Sequence, residues 1–441
     1  MKAFYAILAN TLVSSITNFT VWFAITFWIY LETESVFATG MLAGIYLVLT
    51  AGTGFWFGSI VDHNRKKHVM LASSVISFAL YGIAFLLFQS VPESVFADVS
   101  GVPLWAFVLL MMIGVCAGNL RTIALPTLVT LLIPEDRRDK ANGLVGMTTG
   151  IGFLVTSMIS GFLVAWGGMF YVIVFALSLT ALAFLHLTLV AVDETRASED
   201  PEAPNEPKRI DIKGTVRVIR GVPGLMALIL FATFNNFLGG IFMALMDAYG
   251  LSLVSVQTWG VLIGVLSTAF ILSGIIIAKT GLGKNPLRTL LTVNVITWTV
   301  CMFFTIQSSI ILLAIGFFIW MLLGPYAEAA EHTTLQKVVP FERQGRVFGF
   351  AQSVEQAASP LTAFLIGPLA QFVFIPFMTT GLGAAAIGSW FGTGPERGIA
   401  LVFTVAGALG LFMTILAFNS KYYRQLSTRY QESSQAVPEA A

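Results

Sequence analysis

Ionisable side chains inside long apolar stretches are the residues of this sequence best placed to do chemistry. Glu328, Glu331 and Glu355 lie in two such stretches, and Asp247 lies in an earlier one. Burying an ionisable group among apolar residues in a membrane is expensive, so each is a functional candidate. A carboxyl group held away from water favours its protonated form, as a proton carrier must. We rank Glu355 and Glu328 first, Glu331 next and Asp247 last.

The depth of these groups supports this ranking. At 1.5 Å per residue, Glu328 lies about 15 Å and Glu331 about 10 Å from the inner end of their stretch, and Glu355 also falls near its middle. Arg121 has a similar depth in the opposite half of the chain. The alternative role is structural, an internal ion pair of Arg121 with Glu328 or Glu355, and the two roles are compatible. We expect His332 to be a hydrogen-bonded partner of Glu328 or Glu331, and expect no metal site because no second His or Cys lies nearby.

Composition defines the elements that must position these groups. The chain has 441 residues, of which 56% are hydrophobic and 11% charged, whereas soluble domains are roughly 25% charged. About twelve membrane-spanning helices fit this length. The sequence therefore predicts an all-α polytopic membrane protein with spans at 4–31, 37–61, 68–90, 103–133, 140–166, 169–192, 223–250, 254–280, 286–308, 310–338, 345–374 and 397–420. The glycine-rich segment 375–396 fits either an interfacial helix or a lid.

Basic residues give the orientation of these spans. Apart from Arg121 and Arg397, every Lys and Arg lies at a terminus or in alternate connections between apolar stretches. Loops that carry Lys and Arg stay on the cytoplasmic side. We therefore predict an even number of crossings in the cell (inner) membrane, with both termini in the cytoplasm.

The chain divides around one long polar stretch. Residues 193–222 begin acidic and proline-rich, typical of a linker, and end in alternating apolar and basic residues, typical of a surface amphipathic helix. The sequence "Ile133-Pro134-Glu135" after the fourth span resembles "Val339-Pro340-Phe341-Glu342" after the tenth. We predict a six-helix bundle at 1–192, the cytoplasmic linker at 193–222, a second bundle at 223–420 and a cytoplasmic tail at 421–441, the bundles being related by an axis along the membrane normal.

Several classes of function are disfavoured. A net charge of +1 argues against a nucleic-acid partner. Cys116 and Cys301 both lie within spans, which argues against a disulfide framework. The sequence contains no His-Glu-x-x-His, Gly-x-Ser-x-Gly or phosphate-binding Gly-x-x-x-x-Gly-Lys-(Ser/Thr) motif. We therefore expect that the protein is not an enzyme and needs no cofactor, its energy source being a proton gradient. We expect its partners to be a small-molecule substrate and the lipid bilayer, and its functional form to be a monomer.

A short motif after the second span carries a family resemblance. The residues Gly58-Ser59-Ile60-Val61-Asp62-His63-Asn64-Arg65-Lys66-Lys67 resemble the loop signature of the major facilitator superfamily. His63 stands where that signature has Arg or Lys, and Arg65 stands in place of its second Gly. The equivalent segment of the second half, Gly274 to Lys284, has Ala278 in place of the acid. With twelve spans, the resemblance implies the major facilitator fold.

The residues after the fourth and tenth spans resemble one particular branch of this superfamily. Leu128 to Leu144 and Leu335 to Phe350, followed by Glu355 and Gly367-Pro368-Leu369, resemble the proton-coupled drug-efflux branch that contains macrolide-efflux and enterobactin-exporter-like proteins. The branch implies export by alternating access. The fifth span has Ser157-Met158-Ile159-Ser160-Gly161 where the antiporter motif has a Gly-Pro pair, which weakens the antiporter assignment.

The resemblance also implies a conformational gate. In the family, the Asp of the loop signature lies near the start of the eleventh helix and helps to lock the outward-facing state. That role would fall here on Asp62, with Gly58 packing beside it. The expected basic neighbours are Arg65, Lys66, Arg343 and Arg346.

Polar and aromatic residues within the spans are candidates for lining a substrate cavity. They are Asn18, Trp22, Asn119, Phe231, Asn235, Asn236 and Trp320. An aromatic cavity with embedded acids suits an amphipathic or drug-like, cationic solute. A siderophore or metabolite exporter, a lysolipid translocator, an uncoupled facilitator and a membrane-embedded enzyme remain the alternatives.

The orientation can be tested at Ser198, in the predicted cytoplasmic linker. A single cysteine introduced there should react with a membrane-impermeant maleimide only after the cells are permeabilised. Reaction in intact cells would contradict the predicted topology.

Overall fold

The computed structural model describes residues 2–33, 36–192, 194 and 212–435. Within these ranges every regular element is helical. The helices are α1 (Lys2–Thr33), α2 (Val36–His63), α3 (Lys66–Ser90), α4 (Val102–Leu132), α5 (Arg138–Leu189), α6 (Ile212–Gly221), α7 (Leu225–Leu253), α8 (Val256–Thr280), α9 (Pro286–Phe303), α10 (Ile310–Val338), α11 (Phe341–Leu369), α12 (Ile375–Thr379), α13 (Leu382–Phe391), α14 (Pro395–Asn419) and α15 (Lys421–Gln435).

Helix α5 is two crossings joined by a sharp turn. A straight helix of 52 residues would extend about 78 Å, far more than the ~30 Å hydrocarbon core. The chain reverses at Gly167 and Gly168, and Gly168 has φ +60° and ψ −154°, a conformation that side chains with a Cβ rarely adopt. The arms 138–166 and 169–189 therefore correspond to the fifth and sixth predicted spans.

The remaining spans follow the sequence closely. Eleven helices in the described part of the chain are long and apolar enough to cross a membrane, and the first arm of α5 adds the twelfth crossing. The all-α polytopic fold is therefore confirmed. At the C-terminal end of α11, a π-helical turn at Ala370–Phe374 leads into α12, and α13 is a separate short apolar helix before α14. Segment 375–396 is thus helical in most of its length.

The chain forms two compact units. The first contains residues Met1–Ala141, Thr148–Val216 and Val339–Ser353, and the second contains Asn142–Met147, Arg217–Val338 and Val354–Ala441. Each unit thus includes a short segment from the other half of the sequence. The first unit has a core of edge-to-face aromatics around Trp28, Phe96 and Phe107. The core of the second includes Phe242, stacked on Phe403 with ring centroids 4.9 Å apart.

Helices α6 and α15 each have a buried side and an exposed polar side. Helix α6 buries Thr215 and Ile219 and exposes Lys213, Arg217 and Arg220. Residues 195–211 of the predicted linker lie outside the described residues. Helix α15, predicted only as a cytoplasmic tail, buries Leu426. Its Ser427 Oγ accepts a hydrogen bond from Asn285 Nδ2 (2.7 Å), and its Tyr430 ring lies under the ammonium of Lys337 (4.5 Å to the ring centroid).

Arg397 anchors one end of the second unit. It is 1% exposed, and its guanidinium donates to the carbonyls of Phe391 (2.6 Å) and Ile306 (2.9 Å) and to the hydroxyls of Tyr249 (3.2 Å) and Ser308 (3.3 Å). It also lies over the Phe391 ring, 4.2 Å from the centroid. A buried cation is tolerated when its donors are satisfied. Arg397 therefore ties the α9–α10 turn and the end of α13 to α14.

We expect Arg397→Gln to destabilise the protein by about 3 kcal/mol, because it strands several buried acceptors that one amide cannot satisfy. The measurement is thermal unfolding of the purified protein in detergent. Arg424→Gln, at an exposed position of α15, is the matched control and should leave Tm unchanged. Equal Tm values for the two variants would contradict the anchoring role.

Candidate functional site

Four glycines bring the backbones of α2 and α11 into direct contact. Gly54 and Gly58 on α2 face Gly345 and Gly349 on α11, all within the first unit. A Cβ at Gly58 would lie 2.9 Å from the Cα of Arg346, and one at Gly349 would lie 2.9 Å from the Cα of Gly58. Small residues spaced four apart on both helices permit this approach. We call these four residues the glycine seam. Gly345 and Gly349 were not identified from the sequence, although their spacing repeats that of Gly54 and Gly58.

Asp62 closes one end of the glycine seam. Its side chain is 2% exposed. The backbone N–H of Gly345 donates to its Oδ1 (2.5 Å) and that of Arg346 donates to its Oδ2 (2.8 Å). The Arg346 guanidinium lies 3.4 Å from Oδ2. Hydrogen bonds to an ionised carboxylate are stronger than those between neutral groups. The structure therefore brings together Gly58, Asp62 and Arg346 of the predicted gate.

His63 explains one departure from the family signature. Its Nε2 lies 2.8 Å from Nη2 of Arg346, and its Nδ1 lies 2.8 Å from the carbonyl of Ser59. A guanidinium only donates and a carbonyl only accepts. This arrangement therefore requires a neutral imidazole that donates from Nδ1 and accepts at Nε2. Arg or Lys at position 63 would instead place a second cation against Arg346.

The remaining predicted gate residues lie around this contact. Lys66 is buried, with its ammonium 5.0 Å from the ring centroid of Phe341, the first residue of α11. Arg65 is the exposed residue that precedes α3. The backbone N–H of Arg343 donates to the carbonyl of Pro340 (3.0 Å). Lys66 thus contacts α11 through an aromatic ring, whereas Asp62 contacts it through the backbone.

Glu194 is a functional candidate that the sequence analysis did not identify. Its carboxylate accepts from the backbone N–H groups of Lys66 (2.8 Å) and Lys67 (2.9 Å). It therefore caps α3 from far along the chain, satisfying N–H groups that the first turn of a helix leaves unpaired. The only sequence signal was an acid at the start of the linker, too weak to indicate a partner.

The intramembrane acids form a cluster in the second unit. The carboxyl groups of Glu331 on α10 and Glu355 on α11 come within hydrogen-bonding reach of each other. Two ionised carboxylates offer only acceptors, so a hydrogen bond between these groups would need a proton on one of them. In each residue Oε1 is buried and accepts no hydrogen bond within the described structure. Glu328 is exposed on α10 and lies within electrostatic reach of both acids and of His332.

A second helix crossing mirrors the glycine seam without its acid. The first residues of α5 meet α8 where a Cβ at Gly274 would lie 2.9 Å from the Cα of Met147, and one at Gly143 would lie 3.2 Å from the backbone nitrogen of Ala278. The polar contact here is made by Asn142, whose Nδ2 donates to Thr333 Oγ1 and Gln336 Oε1 (both 2.8 Å). An amide network therefore accompanies the crossing in which Ala278 replaces the acid.

The other predicted residues are placed separately. Asp247 accepts from the indole N–H of Trp259 (3.0 Å), and Asn235 accepts from that of Trp298 (2.7 Å). The carbonyl of Asn236 accepts from the Ser359 hydroxyl (2.7 Å). These groups have structural partners in the second unit. Two of the half-buried aromatic candidates contact other rings: the ring centroid of Trp22 lies 4.3 Å from that of Tyr46, and that of Trp320 lies 5.6 Å from that of Phe317. The third, Phe231, lines an apolar cleft with Tyr422 and Tyr423.

Two predicted residues of the first unit flank a polar recess. Asn18 on α1 and Arg121 on α4 both line it, whereas Asn119 is half-buried nearby on α4. Arg121 donates to Asn10 Oδ1 (2.5 Å), to the carbonyl of Met70 (3.2 Å) and to Ser74 Oγ. No carboxylate is among its partners in the described residues of the first unit. The ion pair with Glu328 or Glu355, which belong to the second unit, stays a prediction. No group of three or more metal-binding side chains occurs in the described part of the chain.

This arrangement is characteristic of a multi-pass membrane transporter. It combines twelve apolar helices, close glycine-mediated crossings and an Asp that accepts hydrogen bonds from the backbone of α11. The chain belongs to the Major Facilitator Superfamily, whose family pattern it matches over residues 7–363. A search of curated proteins gave no significant match.

Solved structures agree with the family fold. A bacterial homologue of the iron transporter ferroportin in the outward-facing state is similar with a TM-score of 0.70 and 12% identity, covering 95% of this chain and 100% of that one. The proton:xylose symporter XylE is similar with a TM-score of 0.67 and 14% identity, covering 94% of this chain and 96% of that one. The human organic anion transporter TETRAN gives 0.63 and 12%, covering 93% and 99%. At these identities the similarity concerns the fold.

We expect His63→Arg to open the glycine seam, because the new cation would face Arg346 at the present Nε2 position. The reporter is a cysteine at Ser353, which is 3% exposed and packs against Gly54, in a background lacking Cys116 and Cys301. Its alkylation rate should rise about tenfold, as expected for a loss of ~1.4 kcal/mol from the closed contact.

His63→Gln is the matched control, since an amide oxygen still accepts from Arg346. Asp62→Asn should also accelerate alkylation, whereas Asp136→Asn, at an exposed loop acid, should not. If His63→Arg and His63→Gln react at the same rate, the imidazole does not contribute to the contact.

Proposed function

We propose that this protein is a secondary active transporter that couples the efflux of an amphipathic or drug-like small molecule to proton movement by alternating access. The family membership supports the transporter class. Proton coupling rests on the Glu331–Glu355 pair, and the efflux branch rests on the sequence resemblance around the fourth and tenth spans.

The acid pair is suited to carry a proton. Two carboxyl groups in contact repel each other when both are ionised and attract each other when they share a proton. Neither Glu331 nor Glu355 has a cationic partner among the described residues. Proton binding and release would therefore change the local interaction from attraction to repulsion, which is a direct way to bias α10 against α11.

Glu328 offers a path to this pair. It lies three residues from Glu331 and therefore on the same side of α10, and it is exposed. An exposed carboxylate facing lipid is costly at this depth, so we propose that this side of α10 faces water. Pro325 lies in the same stretch of α10, where the missing N–H weakens the helix and permits bending.

The glycine seam supplies the proposed gate. Asp62 makes its two backbone contacts only while α2 and α11 are packed together, so its carboxylate favours one conformational state. We further propose that the protein lies in the cell inner membrane with both termini in the cytoplasm and acts as a monomer on a small-molecule solute. Its energy source would be the proton gradient.

Reconstitution into liposomes containing a pH-sensitive dye tests the coupling. A panel of ethidium, a catecholate siderophore and a lysophospholipid represents the three solute classes, and thermal stabilisation identifies the binding member first. An imposed pH gradient should drive that solute, and the dye should report opposite proton movement. Solute movement indifferent to the gradient would indicate an uncoupled facilitator.

Replacing Glu355 or Glu331 with Gln should abolish solute-dependent proton flux, because Gln mimics the neutral form and cannot release a proton. Binding of the solute, measured by thermal shift, should persist. Glu342→Gln, at an exposed acid in the first turn of α11, is the control. Retention of proton flux in both pair variants would move the coupling site to Glu328 or Asp247.

A further inference from the structure

Arg121 is a buried cation whose hydrogen-bonding capacity is incompletely used. It is 3% exposed and makes three hydrogen bonds, from Nη1 to Asn10 and from Nη2 to Met70 and Ser74. Its Nε–H and one Nη1–H donate to no acceptor in the described residues. Arg397, by contrast, makes four hydrogen bonds and stacks on Phe391. The two buried arginines therefore have different surroundings.

The recess beside Arg121 is lined by polar side chains. It is partly open, and besides Gly118 and Arg121 its lining consists of hydroxyls and one amide, namely Ser14, Thr17, Asn18, Ser73, Ser74, Ser77 and Thr180. No acid is among them. A cation without a carboxylate partner in an otherwise uncharged polar recess attracts a negative charge.

The hydrogen-bond directions define the donors that face the recess. Thr17, Ser73 and Ser77 donate to backbone carbonyls, so their hydrogens are already engaged. The hydroxyls of Ser14 and Thr180 have no such partner among the described residues. The carbonyl oxygen of Asn18 accepts from Tyr81 (3.5 Å), which leaves its NH₂ group as a donor.

Glycine at position 118 makes room for that amide. A side chain at Gly118 would collide with Nδ2 of Asn18. The amide, two hydroxyls and the guanidinium are therefore four donor groups around one recess. The free space holds about one water-sized group, which limits the ligand to a small anion or to one charged group of a larger molecule.

We propose that this recess is a binding site for a single small anionic group, coordinated by Arg121, Asn18, Ser14 and Thr180. Two sources could supply such a group, a free halide or the carboxylate of an organic solute. Both present a single negative charge on a small group. The site lies wholly within the first unit and is separate from the Glu331–Glu355 pair. Its binding can therefore be tested without any proton movement.

Thermal stabilisation of the purified protein tests the proposal. At constant ionic strength, gluconate is replaced either by chloride, as the free halide, or by acetate, as the carboxylate. We expect Tm to rise in a saturable manner with one or both anions. Chloride alone would identify a free-anion site and acetate alone a solute-anchoring site. No anion-specific rise in the wild-type protein would overturn the proposal.

Conservative variants show whether the anion-dependent stabilisation arises in this recess. Thr180→Val keeps the shape of the side chain and removes one donor, so it should weaken the apparent affinity about tenfold, as should Ser14→Ala. Ser178→Ala, at an exposed hydroxyl bonded to Val174, should bind as the wild type does. Arg121→Met should abolish binding if it folds, but the donor variants decide the question without it.

Bromide provides direct evidence of position. Crystals grown with bromide in place of chloride should show an anomalous peak beside Arg121 and Thr180, and this peak should be absent in Thr180→Val crystals. Anion-dependent stabilisation that persists unchanged in Thr180→Val and Ser14→Ala, or a bromide peak elsewhere, would overturn the assignment to this recess.

Discussion

The cost of holding charge inside an apolar bundle shapes this structure more than any other constraint. An ionisable group removed from water must be hydrogen-bonded, paired or neutralised. Arg397 is satisfied by carbonyls, hydroxyls and an aromatic face. Asp62 is satisfied by backbone N–H groups and Arg346. Glu331 and Glu355 lie close enough for a proton to be shared between them. Each solution fixes particular helices together.

These solutions differ in how easily they can be reversed. The bonds of Arg397 are all made within one end of the second unit and have no alternative partner in the described structure. The acid pair depends on a proton, which can leave. The Asp62 contact depends on the packing of α2 against α11, which can change. The contacts of Arg397 suit an anchor, whereas the other two suit a transport cycle.

The two halves of the sequence contain the same helix crossing in different chemical forms. At the first, Asp62 accepts hydrogen bonds from the backbone of α11, and His63 accepts one from Arg346. At the second, Ala278 stands in the equivalent position and Asn142 bonds Thr333 and Gln336. A charged contact is sensitive to the charge of its neighbours, whereas an amide network is not. The repeat therefore preserves the geometry of the crossing but not its electrostatics.

Hydropathy and charge were sufficient to predict the helices and the turn at Gly167–Gly168, and the resemblance of Gly58 to Lys67 to the loop signature indicated the family. The loop signature also located Asp62 beside α11. The pairing of Glu331 with Glu355, the capping by Glu194 and the role of His63 could not be predicted. Helices in lipid are apolar on every side, so periodicity does not reveal which face meets a neighbour. The partner of a polar side chain then depends on helix rotation, which the sequence pattern leaves undetermined.

The glycine seam has a consequence for the way its helices separate. Dispersion attraction between backbones falls steeply, and a gap of ~0.5–1 Å already forfeits a quarter to a half of it. Without interlocking side chains at Gly54, Gly58, Gly345 and Gly349, no intermediate spacing retains a substantial part of the contact. Separation of α2 from α11 should therefore be all-or-none, with short-lived intermediates, so that the molecule passes between discrete states and does not drift through a continuum of them.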